Sequence, residues 1–186
     1  MSTTAAPASQ TLLNLQAAYE GESNATVKYT AFAIKAEVEG FLRAAALFRA
    51  AARAEQVHAA HHARAIAKLG GTPRASIHVP EVKSTRENLE VAKAGEVYER
   101  DVMYPDFIKE AEASGQKDAV RTFSLAMKAE TVHAQLYGQA LANLEAQRGT
   151  TTFYVCLVCG EVTDNLADTE HCPICNSPKE KFVAVR

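Results

Sequence analysis

The chain contains no tryptophan, and its first 155 residues contain no cysteine. A disulfide framework distributed through the fold is therefore excluded over most of its length. Glycine and proline are scarce, at 9 and 6 of 186 residues. No run of about 18 apolar residues occurs, so no membrane-spanning segment is expected. No excess of one charge exists either: 20 basic against 22 acidic side chains leave a net charge of -2. That balance offers no electrostatic case for a nucleic-acid or polyanion partner. The opening MSTTAAPASQ lacks a basic stretch followed by an apolar one, so a secretory signal is not expected. The expectation is a cytoplasmic protein with a frayed start. Its length suits one core of ordinary size plus a small appended module.

Composition changes abruptly near residue 148. Before it, Ala, Leu, Glu, Lys and Arg dominate, which is a helical texture. After it, RGTTTFYVCLVCG brings β-branched residues, aromatics and turn formers. Two domains are expected, 1–148 and 152–186, with a linker at about 148–152. The first reads as four helices. One runs from about Ser9 or Thr11 to Glu39, with Gly40 suited to the position after the last turn. A second runs from about Phe41 to Leu69. A third starts at Ser84, where STRE is a capping box of Ser84 and Glu87, and ends near Ser114-Gly115. Pro105 lies inside it and predicts a kink or break. The fourth spans about Gln116 to Gln147.

The first two helices, and the last two, turn around within a few residues, so each pair is an antiparallel hairpin. Between the hairpins, residues 70–83 reach about 46 Å when extended. The second helix is about 42 Å long. The connection can run the length of the bundle and start the third helix at the end where the second begins. One long crossover in a mainly α four-helix bundle is the ferritin-like topology.

Each helix carries an acidic residue in its apolar stripe. The fourth reads Val120, Phe123, Met127, Glu130, Ala134, Tyr137, Leu141, Leu144, with His133 beside Glu130. The first reads Leu15, Tyr19, Glu22, Thr26, Tyr29, Ala33. The third has Leu89, Ala92, Glu96, Glu99 and Met103; the second has Phe48, Ala52, Glu55, then His58 and His62. The hexapeptide AEQVHA at 54–59 returns as AETVHA at 129–134, 75 residues later, and Glu22 to Glu96 is 74. The second hairpin thus echoes the first, with the two hexapeptides as facing half-sites. One E-x-x-H is an ordinary surface pair. Two in register, joined by Glu22 and Glu96, are not. Five carboxylates in a bundle core need counter-charge, since each buried ion costs several kcal/mol. Only His58 and His133 adjoin them, so two metal cations are the economical answer. Hard oxygen ligands with one imidazole per metal suit iron or manganese. Glu20, about 160° round the helix from Glu22, should be solvated. His61 is expected at the surface and His62 near the site or in the core. His78 and His171 are expected in solvent-facing loops.

CLVCG at 156–160 and CPIC at 172–175 form CxxC-x12-CxxC, a four-thiolate metal signal from Cys156, Cys159, Cys172 and Cys175. Gly160 and Asn176 follow the two knuckles and tolerate a left-handed backbone. Phe153, Tyr154 and Phe182 should form the small core. Spacing alone leaves zinc, a structural ribbon, and iron, a one-electron relay, both open.

From Leu12 to Arg186 the chain resembles the rubrerythrins. The resemblance rests on GES at 21–23 with Tyr29 following Glu22, AEQVH, AGEVYERDVMYP at 94–105, AETVH, and the CxxC…CPxC tail, in that order. It implies a di-iron bundle with a rubredoxin-like Fe(Cys)4 domain and hydrogen peroxide reductase activity that protects against oxidative stress. An external donor, a rubredoxin or an NAD(P)H-linked reductase, would feed the Fe(Cys)4 centre. The resemblance carries iron-ligand roles onto Glu22, Glu55, Glu96, Glu99, Glu130 and His133. It makes His58 the ligand that replaces Glu99 on reduction. Tyr29 and Tyr104 match tyrosines beside the site. It further implies a homodimer or higher assembly, with one subunit's cysteine centre near the other's di-iron site. Asn176 where glycine is usual, the alanine-rich second helix and His61-His62 depart from the pattern. Iron storage and a zinc-ribbon adaptor are the competing functions; the first leaves the cysteines idle, the second leaves the carboxylates unexplained.

Overall fold

A computed structural model describes residues 9–167 and 169–186. The frayed start expected at the N-terminus lies outside them for residues 1–8. Four helical columns are present: α1 Gln10–Val38, α2 Leu42–Lys68, a third made of α3 Thr85–Tyr98 and α4 Tyr104–Ala113, and α5 Lys117–Ala142. The fold is the ferritin-like bundle that the loop lengths predict. Among the described residues no helix is long and apolar enough to cross a membrane.

The ends are set by local chemistry. Ser9 caps α1 by accepting from the Leu12 N–H, and Ser84 and Glu87 form the predicted capping box. Gly40 takes φ 77°, so the chain can reverse into α2 within three residues. The crossover is pinned to α1: Asn24 donates to Ser76 O and accepts from the His78 N–H. It delivers Thr85 to Glu39, whose carboxylate accepts from the Thr85 N–H at 2.8 Å. Helix α3 therefore begins where α1 ends and α2 starts, as the crossover length requires.

Pro105 has a sharper consequence than a kink. Residues Glu99–Met103 form a π turn that ends two positions before it, with the Tyr104 N–H bonded to Glu99 O, five residues back. Proline has no N–H for the ordinary bond and its ring crowds the preceding turn. The π turn absorbs one residue. In a uniform helix Glu96 and Tyr104, eight apart, would point about 80° away from each other; with one residue absorbed they are about 20° apart. Both are fully buried. The same insertion explains why the internal echo is 74 residues at Glu22 and Glu96 but 75 elsewhere. Tyr29 is seven residues after Glu22, Tyr104 is eight after Glu96, and the two tyrosines become equivalent.

Helix α5 ends at Ala142, earlier than Gln147, and a 3-10 turn Glu145–Arg148 leads out. A three-stranded antiparallel sheet follows, ordered β2 (Val162–Thr163), β1 (Phe153–Cys156), β3 (Phe182–Val185). Phe153 and Val155 join the bundle's main apolar cluster rather than a separate core, and Phe182 packs on the cysteines. In α2 the alanines Ala44, Ala45, Ala50 and Ala54 have no exposed surface. Small side chains there leave no room for growth. Ala50→Leu should destabilise the protein by about 1–3 kcal/mol through overpacking, read as a lower denaturant midpoint. An unchanged midpoint would show that the interface has slack.

Candidate metal centres

Glu22, Glu55, Glu96 and Glu130 are fully buried, and His58 and His133 nearly so. Two groups of possible ligand atoms lie within 4.8 Å of one another: Glu22, Glu55, His58 and Glu130, and Glu55, Glu96, Glu130 and His133. Glu55 and Glu130 belong to both. His58 Nδ1 is 2.9 Å from Glu55 Oε2 and 2.9 Å from Glu130 Oε1; His133 Nδ1 is 2.8 Å from Glu130 Oε2. Glu99, on the π turn, belongs to neither group and is only partly buried.

Two tyrosines brace the cluster reciprocally. Tyr29 of α1 donates to Glu96 of α3 at 2.6 Å, and Tyr104 donates to Glu22 of α1. Burial raises the pKa of both phenols far above the usual range, with nearby carboxylates adding to it, so both stay protonated donors.

The electrostatics call for cations. Burial, then neighbouring carboxylates, push Glu55 and Glu130 well above the ordinary carboxylate range. Burial also works against Glu96, yet the neighbouring His133 and Glu130 side chains and the Tyr29 hydrogen bond hold it at about 2. Glu22 is lowered too: His62, His58 and Tyr104 outweigh its burial. Burial opposes charge on His133, but Glu130 and Glu96 raise it well above its usual value. Within this cluster, five carboxylate oxygens (Glu22 Oε2, Glu55 Oε1, Glu96 Oε2, both of Glu130) and His133 Nδ1 have no hydrogen-bond partner. Orphaned acceptors converging in a dry core fit hard divalent or trivalent cations.

The histidines are oriented from outside the bundle. His58 Nε2 lies 3.0 Å from Cys159 O and His133 Nε2 lies 3.1 Å from Gly160 O. A carbonyl only accepts, so both Nε2 atoms carry hydrogen, and Nδ1 is the atom each ring turns to the carboxylates and would offer to a metal. His61 Nε2 likewise meets Val158 O at 2.9 Å. His61 is thus not the surface residue that the sequence suggests. Burial and the Arg64 charge lower its pKa to about 4, and it docks as a neutral ring. The first cysteine knuckle therefore sits on three histidines of its own chain. The proximity that the resemblance implies across a subunit interface occurs here within one chain.

Cys156, Cys159 and Cys172 are buried and Cys175 partly so. Sulfur separations are 3.7 Å for Cys156–Cys175 and 3.5 Å for Cys159–Cys172. A tetrahedron with metal–sulfur bonds of about 2.3 Å has edges of roughly 3.8 Å, so the four thiols fit one ion. Hydrogen bonds from Cys159 and Cys172 lower the Cys156 thiol to about 4, with burial opposing and the Val158 and Cys159 N–H groups assisting. Gly160 and Asn176 do take positive φ, 84° and 58°.

His62 is fully buried near Glu22, so three histidines, not two, adjoin the carboxylates. Glu20 lines a surface cleft away from the cluster, and His78 and His171 are exposed, as expected. Two groups escaped sequence reasoning. Thr122 bonds His62 from α5, one position before a stripe residue. Glu161 is buried beside the knuckle, its Oε2 unpartnered, and burial pushes its pKa to about 7. Nothing in the local sequence marks it.

A rubrerythrin family model matches residues 14–141, and a model of the rubrerythrin rubredoxin-like domain matches 154–183. Nigerythrin of Nitratidesulfovibrio vulgaris is 39% identical over 175 residues, covering 94% of this chain and 86% of its own. Rubrerythrin of Porphyromonas gingivalis is 33% identical, covering 94% and 89%. A structure of fully reduced nigerythrin superposes with a TM-score of 0.89 at 37% identity, over 99% of this chain and 91% of that one. Mycobacterium tuberculosis bacterioferritin, at 20% identity and a TM-score of 0.68 over 75% of this chain and 89% of its own, shares the bundle fold.

The knuckle contact yields a test. A Cβ on Gly160 would collide with His58 Nε2 and lie 2.9 Å from Cδ2, whereas one on Gly70 (φ 78°) meets nothing within 4 Å. Gly70→Ala should cost only the left-handed strain, about 1–2 kcal/mol. Gly160→Ala should cost clearly more and displace His58, visible in thermal unfolding of the two variants side by side. Equal losses would mean the knuckle yields freely. With the carboxylate–histidine cluster for a di-iron site and the four-cysteine site both in place, the chain belongs to the rubrerythrin family.

Proposed function

We propose that the protein is a hydrogen peroxide reductase in which the cysteine module relays single electrons to a di-iron pair. The observation that carries this reading is the seating of residues 158–160 on His58, His61 and His133. Each contact is one hydrogen bond to the backbone of a cysteine knuckle, two of them from the cluster histidines His58 and His133. Iron storage has no task for a thiolate module docked there, and an adaptor ribbon has none for the carboxylates.

Glu22, Glu55, His58 and Glu130 would hold one iron, and Glu55, Glu96, Glu130 and His133 the other, with Glu55 and Glu130 shared. Glu99 stands one turn from Glu96 and is the carboxylate available to replace His58. Iron at these sites supplies reversible one-electron chemistry at each centre. The chain's residues do the rest. The knuckle carbonyls hold both imidazoles in the ligating tautomer. Tyr29 and Tyr104 fix the carboxylates of Glu96 and Glu22. Tyr29, Phe32, Phe48 and Tyr137 close one end of the cluster against water, with ring centroids 5.5–6.3 Å apart. An external donor, a rubredoxin or an NAD(P)H-linked reductase, would approach beside Cys175, the partly exposed thiol. The setting we propose is cytoplasmic protection against oxidative stress by a homodimer or higher assembly.

Replacing Cys156 and Cys172 by Ser should abolish donor-driven peroxide turnover, while chemically pre-reduced protein still oxidises once with peroxide. Loss of that single turnover in a folded variant would refute the division of labour. Absorption of the aerobic wild-type protein gives a second check: thiolate-to-iron bands are expected, and a colourless protein would mean zinc and no relay. Crystals in two redox states test the pair His58 and Glu99. His58 is expected on iron when reduced and Glu99 when oxidised; identical ligands in both states would remove the exchange.

A further inference from the structure

The two halves of the bundle are not equivalent beyond the cluster. On the 75-residue offset His62 corresponds to Tyr137, and Thr122 to Leu47. In one half Tyr137 packs its ring against Tyr29 and Phe48, and its hydroxyl has no hydrogen-bond partner among the described residues. Leu47 is buried in the same apolar cluster. In the other half the corresponding residues form a continuous polar chain. Thr122 Oγ1 is 3.1 Å from His62 Nδ1, His62 Nε2 is 3.1 Å from the Tyr104 hydroxyl, and that hydroxyl donates to Glu22 Oε1.

With a neutral His62, the direction of every hydrogen in this chain follows from the Tyr104–Glu22 bond. Tyr104 has one hydrogen and gives it to Glu22, so it accepts from His62 Nε2–H. A neutral His62 then has a bare Nδ1, which accepts from the Thr122 hydroxyl. All three donors therefore point from Thr122 toward Glu22. At its outer end Thr122 lines a cleft of about 230 Å³ whose wall includes His61, Arg64, Lys68, Asp118 and Arg121. Phe123 flanks the inner part, with its ring 5.5 Å from His62 and 5.9 Å from Tyr104.

We propose that Thr122, His62 and Tyr104 form a proton wire that carries protons from water in this cleft to Glu22 during peroxide reduction, an inference that rests on the peroxidase reading above. The reaction is H2O2 + 2 H+ + 2 e− → 2 H2O. The O–O bond breaks, the electrons arrive from the external donor through the cysteine module, and both protons leave as part of product water. Each transfer moves one hydrogen along every link: cleft water to Thr122, Thr122 to His62 Nδ1, His62 Nε2–H to Tyr104, Tyr104 to Glu22. Glu22 hands the proton on to the departing oxygen. His62 stays neutral throughout and only exchanges tautomers. Rotation of the hydroxyls and a reorientation of the His62 ring, which turns its newly protonated nitrogen toward Tyr104 and its bare nitrogen toward Thr122, restore the chain. The apolar half offers no such route, because Leu47 has no polar atom to begin one.

Two measurements test this. In the full chain loaded with redox-inert zinc(II), 15N spectra of labelled histidine should show His62 as the neutral Nε2–H tautomer near neutral pH. An Nδ1–H tautomer would overturn the hydrogen-bond direction and with it the wire. In the iron-loaded, chemically reduced protein, Thr122→Val, which keeps the shape and removes the hydroxyl, should slow oxidation by peroxide about tenfold or more, within the range of proton-transfer assistance. The solvent deuterium isotope effect should rise in that variant, and Thr122→Ser should restore both rate and isotope effect. A merely structural role for Thr122 predicts no change in isotope effect. If Thr122→Val matches wild type in both, the inference falls while the peroxidase reading stands. If wild type itself does not oxidise with peroxide, that reading falls and takes this task of the chain with it.

Discussion

Four fully buried carboxylates in one bundle core are the constraint on which the rest of the structure depends. Left without cations, they cannot all be charged, and the opposite pKa displacements within the cluster express that conflict: Glu55 and Glu130 are pushed up while Glu22 and Glu96 are held low. The chain does not relieve the strain with lysine or arginine. It places three histidines and two tyrosines around the carboxylates and leaves five oxygens without partners. Such a site is costly as an empty core and favourable as a metal site, so metal binding and bundle stability are linked.

The second dependence runs from the cysteine module to the histidines. A ligating imidazole needs its other nitrogen fixed. In this chain the fixing groups are the carbonyls of Cys159 and Gly160. The module that would supply electrons is thus also the module that sets the tautomer of the ligands. Gly160 makes the approach possible, since any side chain there would occupy the space of the His58 ring. The two metal sites are therefore mechanically coupled.

Much of this was legible in the sequence because the relevant signals are periodic or local. The acidic interruptions of apolar stripes, the repeated hexapeptide and the paired CxxC knuckles each depend on spacing along one element. The four columns and the crossover followed from loop lengths and caps. What escaped was of two kinds. Contacts between elements, such as His61 with Val158 or Thr122 with His62, link residues 97 and 60 positions apart and leave no local trace. The π turn at Glu99–Met103 was half legible: Pro105 signals a break, but only the structure shows that the break is one absorbed residue.

That absorbed residue also reconciles the internal symmetry with its defects. Upstream of it the halves are 74 apart, downstream 75, and the insertion keeps Tyr104 on the face where Tyr29 lies in the other half. Ligands and bracing tyrosines thus obey a two-fold relation, whereas the next layer out departs from it. His62 and Thr122 stand where the other half has Tyr137 and Leu47. On the proposed function, a site that takes in both electrons and protons would benefit from this division. The symmetric inner layer would hold two metals, and the asymmetric outer layer lines one end with apolar rings and gives the other a polar connection toward the surface.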